Sequence, residues 1–259
     1  MLMNIKSLEG YTLEARNGEI GTVKDFYFDE EQWVVRYLVV KTGSFLSRKR
    51  VLIGTAAIRK PDWEKETFPV ELTKKEVENA PDTDLDKPLS RQYEETLHKY
   101  YGWVPYWPPR TFYGYVPYED EHTVAVGEED EPELEEKRKE TAKEASGFKH
   151  PHLRSFNEIE GYELHAEDGQ IGHAEDLVID APSFSVRYLV VDTRTWLPGK
   201  KVLIAPEWIK HICWAEEQVK LAMTMEKVKN SPEYDQGKDI TREFEEKMYA
   251  YYEYPGYWV

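Results

Sequence analysis

A single cysteine in 259 residues, Cys213, leaves no internal disulfide to form and no thiol spacing that suits a metal. No apolar run approaches the roughly 18–20 residues of a membrane-spanning helix. The opening MLMNIKSLEG shows no basic stretch followed by an apolar run, so no secretory signal is read there. Basic side chains are also scarce: 34 Lys and Arg face 50 Asp and Glu, a formal net charge of −16. Phosphate binding draws its energy from Lys and Arg releasing counterions, so this balance works against nucleic acid and anionic membrane surfaces. Missing too are a Gly-x-Gly-x-x-Gly turn, a phosphate loop and a Ser-centred elbow. The expectation is a cytoplasmic protein with no membrane insertion, no cofactor and no metal.

Aromatic side chains, by contrast, are abundant at 14% of the sequence, with 18 Tyr and 8 Trp. The chain is long enough for two domains, each with its own core. It also repeats itself. VRYLVV stands at 35–40 and again at 186–191, an offset of 186 − 35 = 151. At that offset residues 9–101 align with 160–252 without a gap, and 36 of the 93 pairs are identical. The sequence therefore reads as a tandem duplication. Unit 1 spans 1–118, an acidic linker 119–150, and unit 2 spans 151–259.

Each unit is β-rich. Residues 11–15 alternate apolar and polar, and Asn17-Gly18 (Asp168-Gly169 in the second copy) suits a tight hairpin turn. A second strand is expected over 20–28. RYLVV, nearly all apolar, is the expected central strand, with Val35, Tyr37 and Val39 on one face and Leu38 and Val40 on the other. Short strands are expected near 51–53 and 68–72, with counterparts at 202–204 and 219–223. Helices come late. Thr73 and Glu76 have capping-box spacing. Ser90 and Thr241 sit at N-cap positions before helices over 91–101 and 242–252, whose stripes are Tyr93, Leu97, Tyr100, Tyr101 and Phe244, Met248, Tyr251, Tyr252. Aromatic, proline-bearing tails follow each helix. The fold class is mainly β with short α: two small barrels in tandem, each with short helices and a tail.

The hairpin EGYTLEARNGEIGTVKDFYFD, the strand VRYLVV and the loop TRTWLPGKKVLIAPEWI resemble the PRC-barrel. That module occurs in the cytoplasmic part of the photosynthetic reaction-centre H subunit and in a small-subunit ribosome-maturation factor. The whole pattern is similar to tandem PRC-barrel proteins of bacteria. The resemblance implies the barrel fold and carries no catalytic signature. Through the H subunit it implies an accessory role in electron transport as one alternative. Through the maturation factor it implies a ribosome-associated role, which the acidity disfavours.

Among polar positions kept in both copies, Asp25 with Arg36 and Asp176 with Arg187 read as cross-strand ion pairs that hold register. Such pairs contribute about 0.2–1 kcal/mol when exposed. Acid–base chemistry at these carboxylates would want a second titratable partner in a cleft. The histidines form no constellation. His150 and His152 flank Pro151, His165 and His173 share a hairpin, and His211 lies two residues from Cys213 on an expected strand. The candidate protein-binding residues are the aromatics of the helix ends and tails: Tyr100, Tyr101, Trp103, Tyr106, Trp107, Tyr251, Tyr252, Tyr257 and Trp258. Their competing role, with Phe112, Tyr113 and Tyr115, is a strap that covers a barrel of the same chain or bridges the two, and packing across the partner barrel is the arrangement expected. The functional expectation is a noncatalytic binding or adaptor protein with an unidentified protein partner, and self-association into a homo-oligomer is compatible with it.

Overall fold

The computed structural model describes residues 1–42, 49–81, 89–107, 152–193 and 200–258. The linker 119–150, His150, Phe112, Tyr113 and Tyr115 lie outside them. The chain is mainly β with a few short helices. The first half holds β1 (Leu2–Asn4), β2 (Thr12–Ala15), β3 (Gly18–Asp29), β4 (Val34–Thr42), β5 (Lys49–Gly54) and β6 (Thr67–Pro69), then α1 (Lys74–Glu78) and α2 (Arg91–Tyr101). The second holds β7 (Leu153–Ser155), α3 (Phe156–Ile159), β8 (Glu163–Ala166), β9 (Gly169–Asp180), β10 (Ser185–Asp192), β11 (Lys201–Ile204), β12 (Ile209–Cys213), β13 (Gln218–Leu221), α4 (Met225–Lys229) and α5 (Arg242–Tyr252).

The strands of the described residues join one sheet with the path β12-β13-β8-β9-β10-β4-β3-β2-β6, from which β1, β5, β7 and β11 branch. The order reads alike outward from the β10–β4 junction in both directions. That junction is short, a pairing of Ser185 with Val34. Two bonds flank it: Val35 N–H donates to the Phe184 carbonyl at 2.9 Å, and Val186 N–H to the Trp33 carbonyl at 2.7 Å. Trp33 and Phe184, 151 residues apart, both adopt left-handed backbone with φ of 53° and 57°. Bulky side chains rarely do so, at a cost of about 1–3 kcal/mol each. Closure of the preceding turn holds them there, through Trp33 N–H to Asp29 (2.7 Å) and Phe184 N–H to Asp180 (2.8 Å).

β4 pairs with β3 and β5, and β10 with β9 and β11, so both copies of RYLVV are central. The expected alternation is corrected at one point. Tyr27 pairs with Tyr37 but Phe28 with Val35, which makes Arg36 the extra residue of a β-bulge. The bulge resets the phase, so Val35 joins Leu38 and Val40 in the main core while Tyr37 and Val39 face a smaller cluster under α2. Arg187 bulges identically between Val186 and Tyr188. The hairpin turn also shifts by one residue. Ala15 pairs with Gly18, leaving Arg16-Asn17 at the tip, and the Asn17 carboxamide accepts the Lys74 N–H at the start of α1 (2.9 Å). At Gly21 a Cβ would lie 2.0 Å from the Lys41 carbonyl oxygen, and at Gly172 2.2 Å from that of Asp192, so close strand approach demands glycine at both. Thr73 and Glu76 form the expected capping box, and Ser90 and Thr241 cap α2 and α5.

Two strands are exchanged. β1 pairs with β9 of the other half, Leu2 to Asp180 through Asn4 to Val178, and β7 pairs with β3, Leu153 to Asp29 through Ser155 to Tyr27. The apolar core accordingly runs through both halves without a break. Asp25 and Asp176 anchor the exchange. Asp25 accepts the Ser155 hydroxyl (2.6 Å) and the Asn157 N–H (3.2 Å); Asp176 accepts the Asn4 amide (2.8 Å) and the Lys6 N–H (3.2 Å). Burial raises both carboxyl pKa values above the ordinary carboxylate range, against the pull of these hydrogen bonds. The cross-strand pairs expected from sequence are therefore corrected. Asp25 does not meet Arg36, nor Asp176 Arg187, because the bulges turn the arginines toward Asp29 (3.7 Å) and Asp180 (4.0 Å).

Replacing Asp25 or Asp176 by Ala leaves buried donors unsatisfied and should cost about 1–3 kcal/mol each. Denaturant melts check the magnitude. Amide exchange should loosen across 153–157 in the first variant and across 2–6 in the second. Equal loosening at both segments in both variants would argue against the anchoring role.

Candidate binding site

α2 buries Glu94, Leu97 and His98 toward the sheet, a face one position off the aromatic stripe expected from sequence. Glu94 is fully buried, which a carboxylate tolerates only with charge and hydrogen-bond partners. It has both. Arg91 lies 3.0 Å from one carboxylate oxygen, while the hydroxyls of Tyr37 (3.0 Å) and Tyr106 (2.6 Å) donate to the other. Burial raises the Glu94 pKa, opposed by the Tyr106 hydroxyl and by Arg91. The hydroxyl of Tyr37 also meets His98 Nε2 (2.8 Å), and Tyr106 meets His152 Nε2 (3.1 Å). Arg91 donates to His152 Nε2 at 2.6 Å.

The same hub recurs 151 residues on. Tyr188 (2.6 Å) and Tyr257 (2.9 Å) donate to Glu245, and Arg242 lies 3.2 Å from its other oxygen. Cations clamp both tails. Arg36 lies 4.0 Å over the Tyr106 ring and Arg91 4.3 Å over Trp107; Arg187 lies 4.0 Å over Tyr257 and Arg242 4.0 Å over Trp258. The tails are thus latched to their own half, a correction to packing across the partner. The partner's contribution to the first latch is His152, just ahead of the exchanged β7.

The hubs differ where the repeat has diverged. His98 is Tyr249 in the second half, and its hydroxyl goes to Glu207 (2.9 Å). Trp103 stacks on Tyr101 (4.3 Å, 15°) and sits over Gly54, where a Cβ would come within 2.9 Å of its ring. In the second half Trp208, fully buried, lies against Tyr252 (4.1 Å) instead, with Ala205 in place of Gly54. One half draws its indole from the tail and the other from the turn that follows β11.

A groove of about 350 Å³ opens beside the first hub, lined by Glu95, His98, Lys99, Trp103, Pro105 and Trp107. Val104, between two of its lining residues, is 86% exposed, and Tyr100 is 41% exposed. Of the candidates read from the sequence, Trp103 and Trp107 line this groove, Tyr101 stacks on Trp103, Tyr106 packs against Trp107 (4.9 Å), and Tyr100 donates its hydroxyl to the Glu76 carbonyl instead (2.8 Å). Tyr251, Tyr252, Tyr257 and Trp258 gather around the second hub, where Tyr252 is buried and Tyr251 donates to the Lys227 carbonyl (2.8 Å). Elsewhere, His165 pairs with Glu163 (3.0 Å), Cys213 is half-buried and His211 exposed on β12. Among the described residues no three or more His, Cys, Asp or Glu are grouped to hold a metal. None of the helices there is long and apolar enough to cross a membrane. Sequence reasoning missed Glu94 and Glu245, although identity at both positions, along with Tyr37 and Tyr188, was visible in the repeat.

Residues 2–76 match the PRC-barrel domain family. One PRC-barrel domain therefore occupies β1 to β6 and the start of α1, and such a domain suggests a general non-enzymatic module. No curated protein matches the chain. Both tyrosines that latch onto Glu94 are accounted for by this PRC-barrel domain and its tail: Tyr37 from β4 inside the match, and Tyr106 beyond it.

Tyr106→Phe and Tyr257→Phe each remove one hydroxyl from a buried carboxylate, so each should cost about 1–3 kcal/mol in a thermal melt. Little change in either would mean that the latches add no stability. Burial and the adjacent Arg91 lower the His152 pKa from 6.5 to about 4. The unfolded chain then takes up the proton first, so His152 contributes stability that is complete above about pH 6.5 and lost as pH falls toward 4. NMR titration of its ring should show the low midpoint, and the stability gap between wild type and His152→Gln should close over that window.

Proposed function

We propose that the chain is a noncatalytic protein-binding module of two PRC-type barrels in tandem, which docks a partner on the groove beside the Glu94 hub. The tandem reading rests on the gapless offset of 151 and on the strand order shared outward from the β10–β4 junction. The observation that carries the binding reading is exposure. Val104 stands open to solvent between Trp103 and Pro105, and Trp107 lies beyond them on the same tail, clamped by Arg91. Fixed aromatics that need no ordering on association make strong interface anchors. Two tyrosine hydroxyls converge on one oxygen of Glu94 and Arg91 lies 3.0 Å from the other, an arrangement that fixes the tail. On this reading the exchange of β1 and β7 ties the two units together, with β1 pairing in the second half and β7 in the first.

Val104→Asp should leave the melting temperature within about a degree, as exposed substitutions do. Affinity capture from native cell extract, read by quantitative mass spectrometry, should then lose a partner that the unaltered protein retains. Unchanged capture would exclude the groove as the docking surface.

A further inference from the structure

Where the halves meet, a second cleft of about 400 Å³ opens beside the β10–β4 junction. Its floor is Val186 and Tyr249, both buried, with Trp33 and Pro206 half-buried at its walls and the exposed carboxylates Glu31 and Glu207 at its edge. Trp33 reaches it from the left-handed position in the turn before β4, stacked at 5.6 Å on Phe28. Arg187 and Tyr257 also border the cleft, but they are engaged with each other at 4.0 Å, and Arg187 lies 4.0 Å from Asp180. Glu207 accepts the Tyr249 hydroxyl (2.9 Å), and among the described residues no cation lies within 4.0 Å of either Glu31 or Glu207.

The repeat sharpens the point. At the equivalent place across the junction, Glu31 becomes Pro182 and Glu207 becomes Ala56. Two exposed carboxylates beside an indole thus occur at one of two equivalent positions, on a chain whose net charge is −16. An aromatic wall with carboxylates at its rim favours a cation that can shed part of its water.

We infer that this cleft seats an arginine or lysine side chain from a basic segment of a partner protein. The apolar stem lies along Val186 and Pro206, and the charged head sits against Trp33 within reach of Glu31 and Glu207. The assignment is independent of the groove beside Glu94, since it shares no residue with it.

NMR spectra of the full-length protein, titrated with tetra-arginine peptide, Nα-acetyl-arginine amide and Nα-acetyl-glutamine amide, test it. The two arginine probes should give saturable shifts centred on the Trp33 indole N–H and on Val186, with the tetrapeptide tighter; the glutamine probe should give none. Glu31→Gln with Glu207→Gln should weaken the tetrapeptide about tenfold. Glu19→Gln with Glu64→Gln, two exposed glutamates elsewhere, should leave it unchanged. Shifts spread over the acidic surface without saturation, or equal weakening by both double variants, would overturn the site. Spermidine binding as tightly as tetra-arginine would overturn the assignment to a protein segment.

Discussion

The reciprocal exchange of β1 and β7 is the constraint on which the rest of the structure depends. Each half lacks one strand that the other supplies, and each accepts it on a buried aspartate, Asp25 or Asp176. A buried carboxylate is expensive unless its hydrogen-bond sites are filled. Each aspartate takes one backbone N–H from its own half, Phe26 or Leu177, and its remaining partners from the opposite half, so those bonds are lost whenever the halves part. Lys6 to Glu160 (2.6 Å) at the surface and the buried Arg154 to Glu30 (3.3 Å) add ion pairs along the same seams. The junction of β4 with β10 is brief, and the unbroken apolar core together with the exchanged strands holds the halves in register.

Given that frame, the helices and tails behave as a second layer with one organising group per half. Glu94 and Glu245 each draw a tyrosine from the central strand and another from the tail onto a single oxygen. Burial of a carboxylate thereby fixes where the tail lies, and the arginine faces on the tail rings hold it there. The groove beside Glu94 inherits its shape from this arrangement. Its aromatic wall is presented by a tail that has already lost its conformational freedom, which is what a binding surface gains from preorganisation.

Much of this was legible in the sequence. Periodicity of two, turn residues and cap residues locate strands and helices because those signals are local. Arg36 defeated the alternation because a bulge adds one residue without leaving a mark in an apolar run such as VRYLVV. The exchanged strands were illegible for another reason. Leu2–Asn4 and Leu153–Ser155 are three residues each, too short to show a period, and their partners lie more than 120 residues away. Glu94 was passed over because a glutamate on a capped helix reads as solvent-facing. Only the tyrosines brought from β4 and from the tail reveal that it points inward. The aromatic tails were recognised as a unit, yet their choice of their own half over the partner depends on arginines whose direction the bulges set.

Strand exchange between two separate chains would leave a dimer that dilution could pull apart. Written into one polypeptide, the same exchange is intramolecular, governed by an effective concentration of the millimolar order that short tethers provide. Fusion also removes a restriction that identical subunits impose, because a substitution in a homodimer appears on both sides of the axis. In the present chain it appears once. Glu31 lines a cleft with residues of the second half where its counterpart is Pro182, and His98 serves one hub where Tyr249 stands at the other. The exchanged strands keep the two halves together regardless of such changes, and so leave each surface free to acquire a chemistry that its counterpart lacks.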